Sequence, residues 1–265
     1  MDAFAAENLL NLWDLLRSAE AVAARTLGAG PPPGAWSGSE STAQRVEVAV
    51  EEALCGGPPA GTVLQVEAAV VRGARTAGEE PALAGWITGL GARLVWLLAG
   101  DAVADEELGV LQDDEEMRAF LRRSCGGPPP PGTGAVLLVL AEAVEALPRA
   151  AAPFAALPPT VVDVDGEAGP LRLTVSGGRV RVFTGVRYAR VARSRPPDAR
   201  ARLDAGTLAR VLAGRESGAV LEAAGFPPVF ARALAEAGSV IATASAWRER
   251  VEAAAGAGPA GGSGP

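Results

Sequence analysis

Residues 171–182 alternate strictly, with Leu171, Leu173 and Val175 on one side of Gly177-Gly178 and Val180 and Val182 on the other. Successive side chains of a strand point to opposite faces, and paired glycines supply a tight turn, so this pattern demands an antiparallel hairpin. The positions between the apolar ones include Arg172, Arg179 and Arg181. One face is therefore expected to be buried under other elements and the other to be coated with arginine.

Arginine continues through the neighbourhood. Residues 171–215 hold eleven arginines against Asp198 and Asp204, a net +9, which leaves thirteen arginines and twenty-nine acids, −16, for the rest of the chain. Arg172, Arg179, Arg181, Arg187, Arg190, Arg193 and Arg195 are the candidate interaction residues. A guanidinium fork grips carboxylates or phosphates through paired hydrogen bonds, so the block points to an acidic protein surface, on a partner or on a second copy of the chain. Nucleic acid is the weaker fit, because stacking aromatics are limited to Phe183 and Tyr188.

All 24 basic residues are arginine, and histidine is absent. The chain thus lacks the usual general base at neutral pH, the commonest nitrogen ligand for metals and any amine for Schiff-base or phosphate-loop chemistry. Neither a nucleophile elbow nor a phosphate or dinucleotide fingerprint occurs between a strand and a helix. A non-catalytic protein with no cofactor and no metal is expected. Asp163-Val-Asp165-Gly166-Glu167 has the opening rhythm of a calcium loop but no later bidentate glutamate, and reads as a turn between strands.

The first 158 residues read as mainly helical. Leu9, Leu12, Trp13 and Leu16 recur at helical spacing along residues 3–27, with Gly28 as terminator. Ser41 and Gln44 form a possible capping box before residues 45–54, where RVEVAVE also alternates; helix is preferred there. Residues 63–75 and 135–147 each follow a Cys-Gly-Gly-Pro-Pro loop and read as helices, which leaves an internal duplication open. Residues 84–100, interrupted by Arg93, read as a buried core helix rather than a membrane span. The acids 113–116 stand before Met117, Phe120 and Leu121 as a helix cap, with arginines at the far end. Cys55 and Cys125 are expected at helix ends as ordinary free thiols.

Beyond a connector at 148–160, a further strand is expected at 186–192. Asp204 should cap a helix over 206–213 that Gly214 ends, followed by a second short helix and one long helix from residue 229. Residues 255–265 read as a disordered tail, and the N-terminus, with two acids and no basic run, does not read as a signal peptide.

From Leu171 to Gly225, the succession of hairpin, strand and RARLDAGTLARVLAGRESG resembles sterol-carrier-type lipid-binding domains. The matching positions are Leu208, Val211, Leu212 and Gly214, about a fifth of the chain is covered, and the closing strands of that family are not evident after Gly225. The resemblance implies an apolar ligand, in a cavity behind Leu173, Val175, Val180 and Val182.

The expected fold is α+β: a helical region to residue 158, then a small antiparallel sheet covered by helices over 159–254. The expected function is a soluble, cytoplasmic, non-catalytic interaction or adaptor module that can self-associate. A carrier of an apolar molecule and a polyanion binder are the alternatives.

Overall fold

The computed structural model describes residues 3–30, 42–70, 89–105 and 108–256. They divide into two compact units, one built from residues 12–127 and the other from residues 3–11 together with 128–256. The boundary crosses the first helix, α1 (Ala3–Leu15).

The first unit is a β-barrel, which corrects the expectation of a helical N-terminal region. Its strands are β1 (Glu20–Ala29), β2 (Thr42–Cys55), β3 (Val63–Val70), β4 (Arg93–Ala99), β5 (Ala102–Val103) and β6 (Val110–Gln112). Five of them close in the order β1-β2-β3-β5-β4 and back to β1, with β3 and β5 parallel and the other pairs antiparallel. β6 lies beside β4, pairing Leu94 with Gln112. Register shifts between β1 and β2, at Ala21/Val22, Ala23/Ala24 and Thr26/Gly28, bend the ribbon as closure requires. Val22, Val46, Val48, Val50, Val66, Leu94, Trp96 and Leu98 fill the interior.

Each misreading has a physical cause. The helix over 3–27 stops at Leu15, and Gly28 lies in a strand opposite Glu47. In β1 and β4 the central residues are buried on both faces, so their sequences are nearly continuous apolar runs, in which periodicity cannot separate strand from helix. In β2 the alternation of RVEVAVE was the true signal: Val46, Val48 and Val50 point into the barrel. Gln44 is no helix cap, donating from Nε2 to the carbonyl of Gly30 at 2.8 Å; Ser41, residues 71–75 and residues 84–88 lie outside the described residues. The segments after the two cysteine loops fold as strand β3 and as a helix, so they are not structural copies.

Helix α2 (Glu115–Ser124) is built as its sequence suggests. The Asp114 carboxylate accepts from the Met117 amide at 2.7 Å, and Met117, Phe120 and Leu121 are buried. Arg118 takes two bonds to Asp113 at 2.5 Å and one to Glu52 at 2.9 Å, while Arg122 also reaches Glu52. The same β2–α2 contact carries a disulfide between Cys55 and Cys125, against the expectation of free thiols. Cys125 is the C-cap of α2, as expected, but Cys55 ends a strand.

In the second unit, β7 (Thr160–Gly166), β8 (Gly169–Ser176), β9 (Arg179–Thr184) and β10 (Ala199–Arg202) form a sheet in the order β10-β7-β8-β9. The hairpin stands in the predicted register, Val175 opposite Val180 and Leu173 opposite Val182. The sheet is mixed rather than antiparallel, because β10 runs parallel to β7. Its inner face packs with α3 (Thr133–Ala146), α4 (Pro148–Ala155), α6 (Ala205–Leu212) and α8 (Pro228–Thr243). α3 is buried nearly all round, as a central helix must be. Phe154, Phe226 and Phe230 meet beside it, the first and last with ring centres 6.2 Å apart.

Three further corrections fall here. The expected connector after Pro148 holds α4, and the expected strand at 186–192 is α5 (Gly185–Ser194). The expected long C-terminal helix is α8 followed by α9 (Ser245–Ala254), with Ala244 extended between them, and a short helix, α7 (Ala219–Ala223), precedes α8. α6 begins at its predicted cap, Asp204, and stops just ahead of Gly214, whose φ of +69° only glycine adopts freely. The predicted tail from residue 257 onward lies outside the described residues. Among the described residues no helix is long and apolar enough to cross a membrane.

Candidate functional site

Strand alternation places Arg172, Arg179 and Arg181 on the face of the sheet opposite the packed core, together with Arg200 and Arg202 of β10. Helix α5 lies against β8 and β9 and brings Arg187, Arg190 and Arg193. The sequence candidates therefore gather around one side of the sheet, but they do not share one role.

Arg172 is only 2% exposed. Its Nε and Nη2 donate to the two carboxylate oxygens of Asp163 at 2.7 and 3.1 Å, and its Nη1 donates to the carbonyls of Val191 and Arg195 at 3.0 and 2.6 Å. The bond it donates to Asp163 raises its pKa further, so it is a permanent buried cation that fastens the end of α5 to the sheet. The Tyr188 hydroxyl also donates to Asp163, at 3.3 Å, and burial followed by the Asp163 charge pushes its pKa up. Arg195 is engaged with Asp198 at 3.1 Å and with the Pro159 carbonyl at 3.3 Å. Arg187 is half-buried.

Arg179, Arg181, Arg190 and Arg193 remain exposed, as do Arg200 and Arg202, which were not among the candidates. None of these six forms an ion pair with a described residue. In the first unit Arg25, Arg45, Arg93, Arg118 and Arg122 each pair with an acid, while Arg123, exposed near the end of α2, forms no ion pair with a described residue. The alternation ARAR at 199–202, beside a known hairpin, was the signal that could have added Arg200 and Arg202.

The calcium-like run has a different use. Asp163 serves Arg172, while the Glu167 carboxylate accepts from the Thr133 amide at 3.1 Å, the Thr133 hydroxyl at 2.6 Å and the Ala205 amide at 2.6 Å. It thereby caps α3 and α6 at once, satisfying amides that each helix leaves open at its start. Its partial burial pushes the pKa up, but the bonds from Thr133 and Ala205 outweigh this and hold it below the ordinary value. Among the described residues no group of three or more His, Cys, Asp or Glu side chains could hold a metal ion.

A cleft of about 220 Å³ opens beside Glu167, walled by Leu9, Leu10, Pro131 and Leu171. The positions that were to line an apolar cavity are packed: Leu173, Val175 and Val180 lie in the core with α3, α4 and α8, and Val182 is half-buried against it. Leu208, Val211 and Leu212 of the resemblance are buried in the same core.

The outer face of β2 and β3 in the barrel carries Arg45, Glu47, Glu51, Gln65 and Glu67, with Arg45 paired to Glu67 at 3.2 Å, so it offers phosphates no net attraction. No protein-family model matches the chain, and no curated protein or solved structure matches it.

Proposed function

We propose that the second unit is a non-catalytic docking module whose arginines on β9, α5 and β10 receive an acidic segment of a partner protein. The observation that carries this reading is the clustering of unpaired charge: Arg179, Arg181, Arg190, Arg193, Arg200 and Arg202 gather on one side of the sheet, exposed and forming no ion pair with a described residue, whereas the barrel arginines named above each lie against a carboxylate. Exposed guanidinium groups bind carboxylates reversibly, with strength that falls as salt rises. A protein segment suits the face better than nucleic acid, because its aromatics Tyr188 and Phe183 are both half-buried and the Tyr188 ring already lies against Arg172, which leaves little surface for stacking bases.

Fluorescence anisotropy with a labelled glutamate-rich peptide and an oligothymidine of equal charge tests this. The peptide should bind at low salt, more tightly than the oligonucleotide, and lose affinity in the triple variant Arg181→Glu, Arg190→Glu, Arg193→Glu. A preference for the oligonucleotide, or no peptide binding at low salt, ends the reading. If sedimentation finds a dimer that the same variant dissociates, the acidic surface belongs to a second copy.

The carrier of an apolar molecule stands second. The cleft at Leu9 and Leu171 supports it, but its volume of about 220 Å³ is below the roughly 300 Å³ at which ligand pockets usually begin. A lipid-mass adduct in native mass spectrometry would promote it.

The disulfide bears on location. A cystine that joins the end of β2 to the end of α2 favours an oxidising compartment over the cytoplasm that the sequence suggested.

A further inference from the structure

On the core side of the second unit, α4 and α8 pack side by side and leave a trough of about 620 Å³ between their outer edges. One wall comes from Pro153, Ala156 and Leu157, the other from Val229, Ala233 and Val240. Along α8 these positions recur at helical spacing, forming a ridge, and two such ridges frame a groove into which the ridge of a third helix can settle. Val229, at the mouth, is 59% exposed, which is unusual for a large apolar side chain in the described residues.

The rim is charged. Arg149 and Arg232 line the trough from opposite helices, both exposed, and neither forms an ion pair with a described residue. Glu236, one turn beyond Arg232, is the single acid among the lining residues, so the trough carries a net charge of +1.

We propose that this trough receives an amphipathic helix of a partner protein, one with an apolar stripe flanked by carboxylates. The stripe covers Val229 and the alanine and proline floor, and the carboxylates meet the guanidinium forks of Arg149 and Arg232. The site is separate from the arginines of α5, and the proposal does not depend on them.

The probe is a labelled synthetic helix of about 20 residues with leucines at i, i+3, i+4 and i+7 and glutamates beside them, measured by anisotropy against the full chain; a second peptide carries lysine at each glutamate position. The glutamate peptide should bind roughly tenfold more tightly than the lysine peptide, the combined effect of two exposed ion pairs. The double variant Arg149→Glu, Arg232→Glu should reverse that order, and Val229→Ser, which removes apolar contact at an exposed position without adding charge, should weaken both peptides. The same measurements in the Arg181→Glu, Arg190→Glu, Arg193→Glu background, where the docking face of α5 can no longer hold glutamate, should keep the tenfold preference, which separates the two sites. The proposal is overturned if the glutamate peptide does not bind, if both peptides bind alike, or if the charge swap leaves the order intact. It is also overturned if the chain sediments as a dimer that Val229→Asp dissociates, since a second copy would then fill the trough.

Discussion

Arg172 and Asp163 form a two-pronged ion pair across β7 and β8, at 2.7 and 3.1 Å, beneath helix α5. One of the seven arginines that suggested a binding surface in the sequence is thus a structural cation. Removing its partner by Asp163→Ala strands a buried charge, and such losses cost about 3–5 kcal/mol. The double variant Arg172→Met, Asp163→Leu should cost less than Asp163→Ala alone. Urea unfolding of the three proteins checks this; equal midpoints for wild type and Asp163→Ala would contradict the pair's role.

Glu167 gives the fold an acid-sensitive joint. Its pKa is lowered in the folded state, so the stability it adds is present above the ordinary carboxylate pKa, about 4.3, and is lost as pH falls through the lower folded value. Glu167→Gln should cost about 1 kcal/mol at pH 7, since the group is largely exposed and its bonds are screened. The loss should shrink as the pH is taken well below 4. Unfolding free energies at pH 7, 5 and 3 measure this, and a variant that runs parallel to the wild type throughout would refute the capping role.

The Cys55–Cys125 bridge closes a loop of 70 residues. Constraint of the unfolded chain by a loop of that size is worth about 4 kcal/mol. Protein denatured without reductant should show no titratable thiol. Thermal melting with a dithiol, or of Cys125→Ser, should lower the barrel's midpoint. Two free thiols in the purified protein would overturn the bridge, and with it the argument for an oxidising compartment.

Several local features were legible in the chain: the 171–182 hairpin, the acidic cap within 113–116 and that at Asp204, the stop at Gly214, and the central helix, read at 135–147 and found at 133–146. In each, the signal sits within a few residues, because turn glycines, capping carboxylates and strict alternation act through the nearest backbone groups. Strands β1 and β4 were not legible. EAVAARTLGA and RLVWLLA bury both faces, and what defines them is their pairing with each other, Arg25 opposite Arg93, far apart in sequence.

The same division runs through the functional residues. Sequence by itself determined that histidine and lysine chemistry is absent and that arginine concentrates in one block, since composition needs no fold. Only the tertiary structure decided which arginines are available. Arg172 disappears beneath α5 because Asp163 stands opposite it in the neighbouring strand, Arg195 is tied to Asp198, and Arg200 and Arg202 join the exposed set because β10 runs parallel beside β7. Register across strands is a long-range property, and it separates a structural guanidinium from one free to meet a partner.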